Sequence, residues 1–72
     1  MKIATVNVVE YADDDLISIT SFEETSDGNI EAEEHFKAVL KDNGVPKEDI
    51  DSFTEEGYWE QGTYQVFLSH SA

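Results

Sequence analysis

Ala32, Phe36, Val39 and Leu40 recur at i, i+4, i+7 and i+8, and this single apolar stripe constrains the fold more than any other feature of the sequence. It predicts one amphipathic helix over residues 30–43. Asn29 or Asp27 can cap its start, Glu31, Glu33 and Glu34 sit near its positive end, and Lys37 and Lys41 lie toward its negative end. Asn43-Gly44 then offers a left-handed stop, Val45 can fold back over the last turn, and Pro46 forbids continuation. A helix with one apolar stripe needs one apolar surface to lie on.

The flanking segments supply that surface. Residues Lys2 to Tyr11 and Leu16 to Phe22 are rich in β-branched side chains and read as strands, joined through Ala12-Asp13-Asp14-Asp15 as a hairpin. In the second strand Ile17 and Ile19 share one face and Ser18 and Thr20 the other, the alternation of a sheet covered on one side. Residues Pro46 to Phe53 predict a short second helix that Gly57 ends. Residues Tyr58 to Ser69 predict a strand with Tyr64, Val66 and Leu68 on one face, Thr63, Gln65 and Phe67 on the other, and a bulge or bend at Gly62. The expected fold class is α+β: a two-layer, three-stranded antiparallel sheet in ββααβ order packed on one main helix, with residues 1–72 forming a single domain.

Charge narrows the choice of partners. Lys and Arg number four against seventeen Asp and Glu, so 4 − 17 = −13 with histidines neutral. Phosphate binding needs cationic groups that release counterions, so direct binding of nucleic acid or of an anionic membrane is not expected. The partner expected is a basic protein. Self-repulsion in so small a domain predicts that stability rises with salt. The chain has no cysteine, which removes disulfides, thiolate chemistry and sulfur-ligated zinc. No run approaches the ~20 apolar residues of a membrane span, and the opening residues lack the pattern of a signal peptide, so the expected location is the cytoplasm.

The helix acids match its dipole and are spaced to pair with lysines at i, i+4, as Glu33 is with Lys37, so they need no functional explanation. The surplus lies elsewhere. Asp13, Asp14 and Asp15 in the hairpin turn, and Glu48, Asp49, Asp51, Glu55, Glu56 and Glu60 toward the end of the chain, are the candidate partner-binding carboxylates. Extended i, i+2 carboxylates lie roughly 6.6 Å apart and helical i, i+4 carboxylates about 6 Å apart, so such segments can present a phosphate-like row of anions to a basic groove. Trp59, set among Glu55, Glu56 and Glu60, is the candidate aromatic contact, suited to an Arg-rich surface through cation–π attraction.

Other chemistries are less well supported. Residues 23–34 partly match a twelve-residue calcium loop, with Glu23, Thr25, Asp27 and Glu34 at ligand positions and Gly28 at the turn. Glu23 and Thr25 depart from the pattern, and a Gly turn before a helix cap explains the same residues without metal. His35 and His70 fall on different elements, and no nucleophile elbow, phosphate loop or metal-ligand spacing accompanies them. With little volume for a cleft, the chain is not expected to be an enzyme and no cofactor is implied.

Size, net charge and acid runs such as Asp13-Asp14-Asp15 and Glu55-Glu56 resemble the small, acidic, cysteine-free proteins that bacteriophages make against host machinery, including DNA-mimic inhibitors and anti-CRISPR proteins. The segments 28–37 and 55–59 look similar to small uncharacterised phage proteins. It is a resemblance of kind, with no motif to align and no functional residue to carry over. It implies an inhibitor that occupies a basic nucleic-acid-binding surface in the host cytoplasm. Two alternatives stand beside it: a homodimeric assembly protein pairing through its nearly uncharged last strand, and a calcium-responsive module.

Overall fold

The computed structural model describes residues 4–71. The expected start of the first strand at Lys2 and Ile3 lies outside the described residues. The elements are β1 (Thr5–Ala12), β2 (Asp15–Glu23), α1 (Ser26–Asp42), α2 (Lys47–Glu56), β3 (Tyr58–Gln61) and β4 (Tyr64–Ser71). They form an α+β structure in ββααββ order, with an antiparallel sheet of four strands ordered β2-β1-β4-β3.

The expected third strand is two strands. Gly62, with φ +62°, and Thr63 form a two-residue hairpin loop, because Gln61 pairs with Tyr64 across the turn. The sheet is therefore four-stranded rather than three-stranded. The last strand is flanked on both sides over its first half only: Tyr64 to Phe67 pair with β1 and with β3, whereas Leu68 to Ser71 pair with β1 and run beyond β3. The outer strands are β2 and β3.

Both helices lie on one side of the sheet. Val6 and Val8 of β1, Val66 of β4 and Trp59 of β3 meet Ala32, Phe36 and Leu40 of α1 and Ile50 of α2 in one buried cluster. Phe36 and Leu40 have no exposed surface, and each contributes about 1.5–3 kcal/mol of hydrophobic stabilisation. The predicted stripe of α1 is the stripe that is buried.

Helix α1 begins one turn earlier than expected. Thr25, not Asn29 or Asp27, is the N-cap, its hydroxyl accepting the Gly28 N–H at 3.0 Å. Gly28 is required there because a Cβ would meet the Glu23 carbonyl oxygen at 1.8 Å. At the other end the Val45 N–H bonds the Leu40 carbonyl and the Gly44 N–H bonds the Lys41 carbonyl, a Schellman stop with Gly44 at φ +80°. Gly57, at φ +71°, ends α2 as expected.

Candidate functional site

Strand register sorts the side chains of the sheet onto two faces. On the side away from the helices, Ile19 of β2, Val9 of β1, Phe67 of β4 and Tyr58 of β3 stand in one row across all four strands. The adjoining row is Leu16, Tyr11, Gln65 and Glu60. A β-bulge between Glu10 and Tyr11 of β1 and their partners in β2 accommodates Ile17 as an extra residue. Leu16, Ile17 and Ile19 are each at least half exposed, at 50%, 54% and 53%, and Tyr58 is 42% exposed. Tyr11 stacks on Phe67 with ring centroids 5.9 Å apart and planes 9° from parallel. The result is an aliphatic and aromatic patch on the uncovered face.

The other half of this face is polar. Thr5 Oγ1 lies 2.8 Å from Ser71 Oγ, and Asn7 Nδ2 donates to the Ser69 carbonyl and to Ser71 Oγ. Among the residues that register places on this face, Glu23 and Glu60 alone carry formal charge. Glu60 Oε2 accepts the Tyr58 hydroxyl at 3.0 Å, a bond that holds the exposed phenol at the border between patch and acid. That bond, followed by desolvation, raises the Tyr58 pKa above its ordinary value.

Acid gathers at the end of the patch. Asp13 and Asp14 form the tight turn between β1 and β2, both left-handed at φ 52° and 66°, and Ala12 pairs with Asp15 to close it. The expected extended row of carboxylates is therefore corrected: two of the three aspartates are turn residues, and the extended spacing does not apply to them. The Asp13 N–H donates to the Thr63 carbonyl at 3.2 Å, which ties this turn to the β3–β4 turn. Behind them, on the helix side, Tyr64 donates its hydroxyl to Glu10 Oε1 at 2.5 Å. Desolvation, then this bond, pushes the Tyr64 pKa up to about 12.

The remaining candidate carboxylates lie on α2 and just beyond it. Glu48 and Asp49 occupy its first turn, where the helix dipole favours them. Glu55 and Glu56 occupy its last turn, which holds no base, so the dipole opposes both. Asp51 meets Lys37 of α1 at 3.6 Å. Lys37 lies against Asp51 and Glu55 in one shallow depression, and Lys41 and Lys47 lie together with Ile50 in another between the helices. The lysines of the described residues are thus confined to the α1–α2 seam, and the aspartate turn and the open sheet face have none. The other ion-pair contact among the described residues joins His70 Nδ1 to Glu24 Oε1 at 2.7 Å.

Trp59 does not take the exposed position expected of an aromatic contact. Alternation turns it to the helix side, where it is 6% exposed and packs edge-on against Tyr64 at 6.0 Å. Tyr58 takes the exposed position. The calcium-loop candidate is replaced as well: Thr25 caps α1, Asp27, Gly28 and Glu34 are inside the helix, and Glu23 ends β2, so no loop encircles an ion. Among the described residues no group of three or more His, Asp or Glu is placed to hold a metal. A depression of about 250 Å³ between the 43–46 connection, Phe53, Trp59 and Glu60 is open to solvent.

Compared with known families, curated proteins and solved structures, the chain matches none. Among the described residues no helix is long and apolar enough to cross a membrane.

The patch was hidden in the sequence by β2. The residues of that strand directed to the helices are Ser18, Thr20 and Phe22, opposite Glu10, Val8 and Val6, whereas Ile19 is on the open side. The signal was apolar residues on both parities of β1, where Val6 and Val8 alternate with Val9 and Tyr11. With both helices on one side, no element among the described residues covers the second apolar set.

Proposed function

We propose that the protein is a binding module without catalytic activity that docks on a basic surface of a nucleic-acid-handling protein and competes with nucleic acid for it. The observation that carries this reading is the row Ile19–Val9–Phe67–Tyr58 on the uncovered face, bordered by Glu60 and the Asp13–Asp14–Asp15 turn, with no lysine of the described residues nearby. An apolar, aromatic centre with a charged rim is the anatomy of a protein interface. The rim selects cationic partners by steering and by repelling acidic ones. Tyr58 and the Tyr11–Phe67 pair offer π faces to Arg side chains. The size and charge fit an inhibitor of the DNA-mimic or anti-CRISPR kind, of the sort phages encode, acting in the host cytoplasm.

The test is capture of proteins from a host lysate on the immobilised chain, followed by elution with duplex DNA. Nucleic-acid-binding proteins released by DNA and by high salt, and lost on Ile19→Asp with Phe67→Ala, are expected. Partners that DNA fails to displace sink the competition mechanism.

A further inference from the structure

Strand β2 is nine residues long, borders the sheet, and carries neither Lys nor Pro, the residues that ordinarily protect an edge. Its hydrogen-bonding alternation is fixed at its end, where the Glu24 N–H bonds the Ala4 carbonyl. Residues 22, 20 and 18 therefore direct their main-chain groups to β1, and those of Ile19 and Ser21 point away from the sheet. Ile19 and Ser21 are both exposed.

We infer that this outer edge accepts an extended segment of the partner as a fifth strand, with apolar residues at its centre and Lys or Arg at both ends. The inference rests on the reading above that the partner is basic. An apolar side chain on the added strand would continue the row that runs from Ile19 to Tyr58. Acids flank the edge on both sides: Asp13, Asp14 and Asp15 at its start, Glu23 and Glu24 at its end. The same acids oppose pairing with a second copy of this chain. Antiparallel self-pairing centred on Ile19 sets Asp15 of one copy opposite Glu23 of the other at both ends, and parallel pairing sets like against like. Cationic ends on a foreign strand convert each of these repulsions into attraction. The other border strand, β3, has four residues and offers a shorter edge.

The probe is a synthetic peptide of nine residues, the length of β2, with alternating Val and Thr between Lys-bearing ends. A second peptide has the same centre and Glu-bearing ends. The Lys peptide is expected to bind in calorimetry and to slow amide exchange at Ile19 and Ser21, and the Glu peptide to do neither. Ser21→Pro removes an outward N–H that the β1 ladder does not use, so at least about a tenfold loss of affinity is expected with an unchanged circular dichroism spectrum. Should that variant fail to fold, Ile19→Lys sets a cation on the exposed edge and is expected to weaken the Lys peptide similarly.

Undiminished affinity in a folded variant, or protection confined to other strands, overturns the inference. So does a stable dimer whose Ile19 and Ser21 amides are protected without peptide. If a DNA-displaceable partner still binds Ser21→Pro at full strength but is lost on neutralising the aspartate turn, the edge inference alone fails. If neither the Lys peptide nor any DNA-displaceable partner binds the natural chain, the functional reading fails with it.

Discussion

Tyr11 and Phe67 stack almost parallel, with centroids 5.9 Å apart, on the side of the sheet that neither helix covers. Such a pair adds about 0.5–1.5 kcal/mol beyond its buried area. Open-face and helix-face residues should therefore separate in experiment. Phe36→Ala, at a site with no exposed surface, is expected to cost about 3–5 kcal/mol and leave the domain largely unfolded. Tyr58→Ala is expected to change stability by no more than about 0.5 kcal/mol while weakening a captured partner by at least tenfold, about 1.4 kcal/mol. Urea denaturation followed by circular dichroism, beside a binding titration, measures both.

Few of the acids are paired, since ion-pair contacts among the described residues are confined to Lys37–Asp51 and His70–Glu24. Screening should relieve the remaining repulsion. The Tm is expected to rise with added sodium chloride, and partner affinity to fall over the same range. A Tm independent of salt would mean that the carboxylates are already balanced locally.

Tyr64 titrates at about 12 in the folded protein, against an ordinary value of 10.0, because burial and Glu10 disfavour the phenolate. The folded state holds this proton more tightly than the unfolded chain does. The stability contribution is complete below pH 10 and is lost as pH rises toward 12. Tyrosinate absorbance should show a late-ionising phenol that Glu10→Gln brings earlier, with alkaline unfolding following the same ionisation.

Glu55 and Glu56 violate the dipole rule at the end of α2. Replacing both with Lys is expected to stabilise the domain by about 0.3–1 kcal/mol per site, seen as a higher urea midpoint. If these acids belong to the partner's footprint, the more stable variant binds less well. Equal binding would take α2 out of the interface.

Neutralising the β1–β2 turn needs residues that its backbone accepts. Asp13→Asn with Asp14→Gly suits the two left-handed positions, and Asp15→Asn completes the change. This variant should keep or raise the Tm and lose partner affinity. Alanine at the turn would confuse the outcome, because strain at positive φ lowers stability by itself.

The helices were legible because their signals are local: the Ala32–Phe36–Leu40 spacing, the Gly44 and Gly57 stops, and Pro46. Hairpin β1–β2 followed from its β-branched runs and its aspartates. The break at Gly62-Thr63 leaves little trace because alternation runs almost unbroken through it, and alternation sets Tyr58 and Trp59 on two faces without saying which one the helices take. The same gap conceals Ile19, whose neighbours Ser18 and Thr20 are the ones on the helix side of the sheet. In these places long-range packing overrode a local pattern.

Strand β1 is completed on one side by its immediate successor and on the other by β4, with Thr5 meeting Ser71 across 66 residues. During synthesis β1 must wait, half-paired, until β4 has left the ribosome. Until then, Val6 and Val8 lack their cross-strand partners His70 and Leu68, and the nascent chain carries this apolar surface unshielded. Folding of this domain is consequently late and non-local, and a cut that removes β4 would take away the centre of the sheet rather than trim its margin.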